Sequence, residues 1–502
     1  MTWLLLYMQI IEAGFRARRE ADFGARSPRE GPVMANKQAI FLEGNLLRHI
    51  IIMASSASIG LVSIFLVDFA DLLFISMLGE AELAAAVGFA GTVLFFTFSV
   101  SIGMTIATSA LVAQRLGQGD PVEARKIATS VILFGIGITS LLALICWIYA
   151  PSLLGLIGAQ GYTQDMGVRY FRIVVAAMPI AAVGMMASGI LRAHGDARRA
   201  MTVTLVAGGV NAVLDPIFIF WVGLGLEGAA YASVAARFAT LATALYPIFK
   251  HYGGFAKVDL PRFRTDLKPI VAIAAPAMLT NVATPIGNGF VTRTISEFGD
   301  AAVAAMAVTG RLTPLAFCVI FALSGAVGPI IGQNFGAKQF GRVRGTLIKA
   351  VQFTAIYVAV MWAILMLAHG FISDSFQLSE EGANIVFWFA LVVAPLFLFN
   401  GTLFVSNAAF NNLRRPLFST FLNWGKNTIG VVPFIAVGAA MGGAPGVLIG
   451  QAIGGVLFGI VGFWLAYRLV GRYESGKSDP DKGMKFPLMR RRAEAPFNSP
   501  RS

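Results

Sequence analysis

Residues 49–78 read HIIIMASSASIGLVSIFLVDFADLLFISML, a run whose ionisable side chains are His49 at its edge and Asp68 and Asp71 inside it. An α-helix rises 1.5 Å per residue, so about 20 such residues cross the ~30 Å hydrocarbon core of a bilayer. Lipid offers the backbone no hydrogen-bond partners, and a helix satisfies its own N–H and C=O groups. Working outward, eleven more stretches pass the same test, at 83–113, 127–150, 168–191, 200–221, 228–249, 269–295, 302–333, 347–368, 384–411, 417–440 and 446–470. The expected fold class is an all-α membrane protein of twelve transmembrane helices. Composition agrees: 57% of the 502 residues are hydrophobic and 13% charged, whereas charge makes up about a quarter of a soluble domain.

The net charge of +13 is spread over short loops and two tails, a distribution that argues against nucleic acid and for a membrane-orientation signal. Connections after odd and even spans differ in sign. One set carries Arg115, Arg125, Lys126, then Arg198 and Arg199, Lys257 and Arg262, Lys338 and Arg342, Arg414 and Arg415; the other carries Glu80, Glu82, Glu227, Asp300, Glu380 and Glu381, with Arg169, Arg172 and Arg293 as exceptions. The basic set is expected on the cytoplasmic side, with both termini there, in a multi-pass protein of the plasma (inner) membrane. Residues 1–43 read as an N-terminal extension, its apolar run Trp3 to Ile11 too short to span; translation from Met34 and an amphipathic interfacial helix are the two readings of this segment. The six-helix lobes are placed at 44–250 and 269–470, joined by a cytoplasmic loop at 251–268, and 471–502 reads as a disordered basic tail. Cys146 and Cys318 lie in apolar stretches, and no disulfide is expected.

The halves repeat. Leu78-Gly79-Glu80-Ala81 returns as Phe298-Gly299-Asp300-Ala301, and Ala113-Gln114-Arg115-Leu116-Gly117 as Gly332-Gln333-Asn334-Phe335-Gly336. Arg198-Arg199 matches Arg414-Arg415, and Gly228 matches Gly446. A parallel repeat of two six-helix lobes places a substrate path between them. With Val67 to Gly79, Gln114 to Asp120, Leu191 to Met201 including His194-Gly195-Asp196, Asn211 to Pro216, and Gly225 to Ala232, the chain over residues 44–470 resembles the multidrug and toxic compound extrusion (MATE) family, and its DinF-like branch. The resemblance implies lobes around a central cleft open alternately to either side, exporting organic cations or other amphipathic compounds in exchange for protons or sodium.

A charge inside a span is costly and marks function by default. Within the spans the acids are Asp68 and Asp71 on the first helix and Asp215 on the fifth, all in the first lobe. Asn211 lies one turn from Asp215 on the same face. Desolvation and a neighbouring carboxylate both disfavour the charged form, so such a pocket takes up a proton or a small cation. The resemblance points to the same set, Asp71, Asn211 and Asp215, as the cation-coupling site, with Asp68 beside it. The repeat mates of Asp71 and Asp215 are near Val291 and Val431 or Val432, so coupling is expected in the first lobe, with the proton favoured over sodium. Ser188 stands in for a fourth-helix asparagine of the family, and Ser56 occupies the place of a proline matched by Pro276, which removes one cause for a kink in the first helix.

Phe89, Phe95, Met104 and Phe317 are candidates to line a drug cleft, since aromatic and Met surfaces accept varied amphipathic shapes; packing is the competing role for each. Arg237, Arg311 and Lys426 lie within spans and either pair with polar groups or form a site for acidic substrates. No cofactor or metal is expected beyond the coupling ion, no His cluster has ligand spacing, and no enzymatic constellation is visible. The partners are small amphipathic or cationic molecules and the lipid bilayer, with a monomer expected. The alternative function is a flippase for a lipid-linked saccharide or peptidoglycan precursor, which would favour a cleft rich in Arg or Lys.

Overall fold

Asn45 starts the first long helix: its side chain accepts from the backbone N–H groups of Leu47 and Arg48 at 2.9 and 3.2 Å. Asp120, Asp196 and Asp259 cap three later helices in the same manner, each relieving one of the unpaired donors at a helix N-terminus. The computed structural model describes residues 39–477; the expectations for residues 1–38 and 478–502 concern segments outside them. In chain order the long elements are α1 (Leu46–Ser76), α2 (Ala81–Gly117), α3 (Pro121–Ile148), α4 (Gly161–Ala176), α5 (Met178–Ala193), α6 (Ala197–Pro216), α7 (Gly225–His251), α8 (Leu260–Ser296), α9 (Asp300–Ala316), α10 (Cys318–Gly336), α11 (Phe340–Ser375), α12 (Glu380–Trp388), α13 (Ala394–Asn412), α14 (Leu417–Asn427) and α15 (Val432–Glu474).

Among the described residues, ten helical stretches are long and apolar enough to cross a bilayer, and the pair α4 and α5, bent by 47°, makes eleven. The twelfth comes from the last stretch, Leu417–Glu474, which at 58 residues is about twice the length one crossing needs. It breaks at Gly442 and Gly443, the latter with φ +59°, a left-handed value that favours glycine. The chain then runs back along itself. A Cβ on Gly446 would lie 2.0 Å from the Gly438 carbonyl oxygen, one on Gly450 2.2 Å from that of Phe434, and one on Gly454 1.4 Å from that of Gly430. These antiparallel steps form a seam in which backbones touch and side chains have no room.

The lobes share apolar cores at one end only. Phe41, Ile50, Met53 and Ala54 pack with Leu323, Val327, Ile330 and Ile331, and Ile270, Ile273 and Ala274 pack with Met104, Ala107 and Met186. Toward the acidic end each core is private to its lobe. The basic end is also locked by polar bonds that obey the repeat. Gln114 Nε2 donates to the Asn412 carbonyl at 3.0 Å, and Gln333 Nε2 donates to the Ala193 carbonyl at 2.8 Å. Gly117 and Gly336 sit on the carbonyls of Gln333 and Gln114, where a Cβ would come within 2.0 and 2.1 Å.

Three boundaries differ from the sequence reading. Residues 40–43 belong to the folded body. Phe41 is buried, its N–H donates to Gln333 Oε1 at 2.9 Å, and its carbonyl accepts from Asn334 and Arg342 at 3.1 and 2.9 Å. The neighbouring Ile40 rests on Gly195 of the first lobe, so this short segment clasps both lobes. The helix after the inter-lobe loop starts at Leu260, behind Asp259 and with Pro261 in its first turn, a pairing that initiates helices. That loop and the first turn of α8 dock on α3: Arg125 donates to the Gly253 carbonyl at 3.1 Å, and Arg262 reaches Glu123 at 2.5 Å. Lys126, then Arg262, hold the Glu123 carboxyl below its ordinary range, so this bond is present at neutral pH and lost as pH falls. At the other terminus α15 continues to Glu474, with Tyr473 buried and Glu474 paired to Arg344 at 2.8 Å.

The glycine seam yields a stability test. Gly454→Leu is expected to cost about 1–3 kcal/mol by overpacking and to lower the melting temperature in detergent, whereas Gly137→Leu, where a Cβ meets nothing within 4 Å, leaves it unchanged. Equal melting temperatures for both variants would contradict the seam.

Candidate functional site

Asp71 lies five residues before the end of α1, and Asp215 is next to last in α6. The two helices pack closely because their contact is lined by small residues. A Cβ on Gly60 would lie 3.2 Å from Thr204, and one on Gly208 2.8 Å from Ser63 Oγ. This brings three polar groups of the sequence reading together. Asn211 Nδ2 donates to Asp71 Oδ1 at 3.4 Å, and the Asp71 and Asp215 carboxyls are direct neighbours. Asp215 is 0% exposed, and neither of its oxygens receives a hydrogen bond with good geometry from a donor among the described residues. Two carboxylates in this position repel, and water does not offset the cost. A proton or a small cation held between them would supply the missing partner.

Pro216 follows directly. Having no N–H, it cannot continue the i to i−4 ladder, and the helix widens into a π turn over Ile217–Trp221, closed by Val222 N–H donating to the Ile217 carbonyl at 2.8 Å. Such turns mark functional stretches of helices. Here the widening begins two residues after Asp215.

Two participants were missed by the sequence reading. The Tyr170 hydroxyl has Ser233 as its hydrogen-bond neighbour and stands within electrostatic range of Asp71, Asp215 and Arg237. The Arg237 guanidinium donates to the Val174 carbonyl and lies 5.2 Å over the Phe98 ring. Arg237 reads in the sequence as a charge within a span, and a tyrosine beside Arg169 and Arg172 reads as an interfacial anchor.

Other candidates fall elsewhere. Asp68 is one turn from Asp71 but exposed, and among the described residues it is not joined to the Asn211–Asp71 bond. Ser188 accepts from Arg192 at 3.0 Å; it lies on the half of α5 nearest the basic end and supports that arginine, not the pair. Met104 is buried against Met186 across Gly135, and Phe317 is buried in a stack with Phe397, 4.2 Å between centroids. Phe89 packs in a first-lobe core, near Gly158. Phe317 fills a lobe interior and Phe89 packs partly into one, whereas Met104 belongs to the apolar core that the two lobes share at the basic end, so packing is the role the structure gives each. Phe95 is exposed, edge-on to Phe96 at 6.4 Å. In the second lobe Val291 and Val431, each 1% exposed, belong to one apolar core, whereas Val432, the other mate of Asp215, is exposed.

Comparison with known proteins places this geometry in context. The family model MatE matches residues 57–217 and 276–436, two segments displaced by 219 residues (57 to 276, 217 to 436). The FAD transporter of Shewanella oneidensis is 26% identical over 417 residues, covering 82% of this chain and 92% of that protein. The multidrug export protein MepA of Staphylococcus aureus is 22% identical over 422 residues, with the same coverages. The crystal structure of a mutant of the Vibrio cholerae MATE transporter VcmN superposes with a TM-score of 0.80 at 25% identity, over 84% of this chain and 96% of that one.

The orphaned oxygens of Asp215 make a prediction about folding. Asp215→Asn supplies an amide that can donate to Asp71, and a buried unsatisfied polar group costs about 1–3 kcal/mol; the melting temperature in detergent is expected to hold or rise. A clear fall would mean that the carboxylate has a stabilising partner.

Proposed function

The chain belongs to the MatE family of transporters, and on that premise we propose that it is a cation-coupled antiporter exporting amphipathic, often cationic, small molecules by alternating access. It is a multi-pass membrane protein and not an enzyme. In this reading the basic end faces the cytoplasm, and the lock of Gln114 and Gln333 is the closed inner gate of a cleft that opens outward. The protein acts as a monomer in the plasma membrane.

The carrying observation is that the first lobe sets the half-buried Asp71 against the fully buried Asp215, where the second lobe has Val291 and Val431 or Val432. Binding of the coupling ion neutralises the pair and frees α1 and α6 to repack around Pro216. Only a ligand that binds the two access states unequally can move such an equilibrium. A proton is the preferred ion, because one proton both cancels a charge and donates the missing hydrogen bond. Export of drug-like molecules accords with the similarity to a multidrug exporter, and the similarity to a FAD transporter widens the substrate range to large aromatic compounds. The lipid-linked saccharide flippase gains no specific support from the site.

Purified protein in liposomes, given a fluorescent organic cation under separately imposed proton and sodium gradients, tests the proposal. Gradient-driven transport in Asp71→Asn and in Asp215→Asn is expected to fall to about a tenth or less, as for other essential ionisable groups within a membrane. Undiminished gradient dependence in both variants would remove the coupling assignment, and dependence on sodium alone would change the ion.

A further inference from the structure

The second lobe lacks acids at its centre but not charge. Lys426 lies nine residues into the eleventh crossing from Leu417, about 14 Å along the helix, and so close to the middle of a ~30 Å core. Its ammonium donates to Asn400 Oδ1 on α13. No ion pair forms between Lys426 and a described carboxylate, and the described acids of this lobe, from Asp266 to Glu474, lie within two turns of helix ends. A single neutral carboxamide does not compensate an ammonium taken out of water.

Space for this side chain is supplied by Gly455, whose added Cβ would come 3.6 Å from Lys426 Cε and 3.8 Å from Asn400 Oδ1. With Gly228 matched to Gly446, Gly455 is the repeat mate of Arg237 (228 to 446, 237 to 455). Each lobe therefore holds one cation in the same internal region, delivered from different helices. In the first lobe Arg237 is met by a carbonyl, an aromatic face and the tyrosine beside the carboxylate pair. In the second, Lys426 has an amide, and it is half-buried, so part of its surface stays accessible. Trp424 and Phe458 flank it on the sequence and on Gly425.

We propose that Lys426 is an oxyanion-recognising residue of a substrate subsite in the second lobe, with Asn400 orienting its ammonium toward the carboxylate or phosphate of an aromatic amphiphile. The proposal rests on the transporter reading and adds the polarity of one end of the substrate. The phosphate of a lipid headgroup has the same chemistry, and the test separates the two sources.

Binding of riboflavin 5′-phosphate and of riboflavin, which differ by one phosphate, is measured by fluorescence on the full chain in phosphate-free nanodiscs of neutral glycolipid, and again after adding an anionic phospholipid. The phosphorylated compound is expected to bind about tenfold more tightly, as one charge-assisted contact would give. Lys426→Gln, which can still bond Asn400, abolishes that preference while riboflavin binding stays the same; Lys426→Arg keeps it within about threefold. Equal affinities for the two compounds in the wild-type chain overturn the proposal, as does equal weakening of both by Lys426→Gln, which would reveal a structural role. Phospholipid that competes with the phosphorylated compound in the wild type, but not in Lys426→Gln, while the preference itself is unchanged by the substitution, assigns Lys426 to lipid and also overturns it. Asp71→Asn is expected to keep the preference while losing gradient-driven transport, so failure of the coupling assignment and failure of the subsite are read separately.

Discussion

Two carboxamides related by the repeat hold the lobes together. In lipid no hydrophobic force drives one helix against another, and association falls to close packing and hydrogen bonds. Gln114 reaches the end of α13 and Gln333 the end of α5, each aimed at a carbonyl that the helix terminus leaves unpaired. Gly117 and Gly336 let the backbones approach closely enough for both bonds. The lobes are joined here, and toward the acidic end each core belongs to one lobe.

The duplicated scaffold does not impose duplicated chemistry, and fold alone does not assign function. Where the first lobe puts Asp71 and Asp215, the second puts valines, Val291 and Val431 or Val432. Where the first lobe extends Arg237 from its sixth helix, the second has Gly455 and fills the space with Lys426 from its fifth. Polar content has diverged within matching packing, so that negative charge belongs to one half of the molecule's interior and an uncompensated positive charge to the other.

Much of this was legible in the sequence because lipid punishes polarity. Long apolar runs located the crossings, the recurrence of the Gln-X-X-Gly motif exposed the repeat, and carboxylates inside spans singled out Asp71 and Asp215. The twelfth crossing needed the break at Gly442 and Gly443, which composition also marked. Less legible was which way a helix face turns. Met104, Phe317 and Phe89 resemble cleft residues in composition, and only packing against Met186, Phe397 and the first-lobe core places them inside. Ser188 was chosen by position in the span, while its neighbour Arg192 determined its role. The early start of α8 had a local signal, Asp259 before Leu260-Pro261, which the hydropathy edge at residue 269 obscured.

The segment Ile40–Gly44 has a mechanical consequence. It bonds to Gln333, Asn334 and Arg342 of one lobe and rests on Gly195 of the other, so the basic end cannot part without peeling it away. Returning the Phe41 ring from its slot to water costs about 1.5–3 kcal/mol. Under the proposed alternating access, a few residues ahead of the first crossing would thus act as a spring that favours the state in which the basic end is closed.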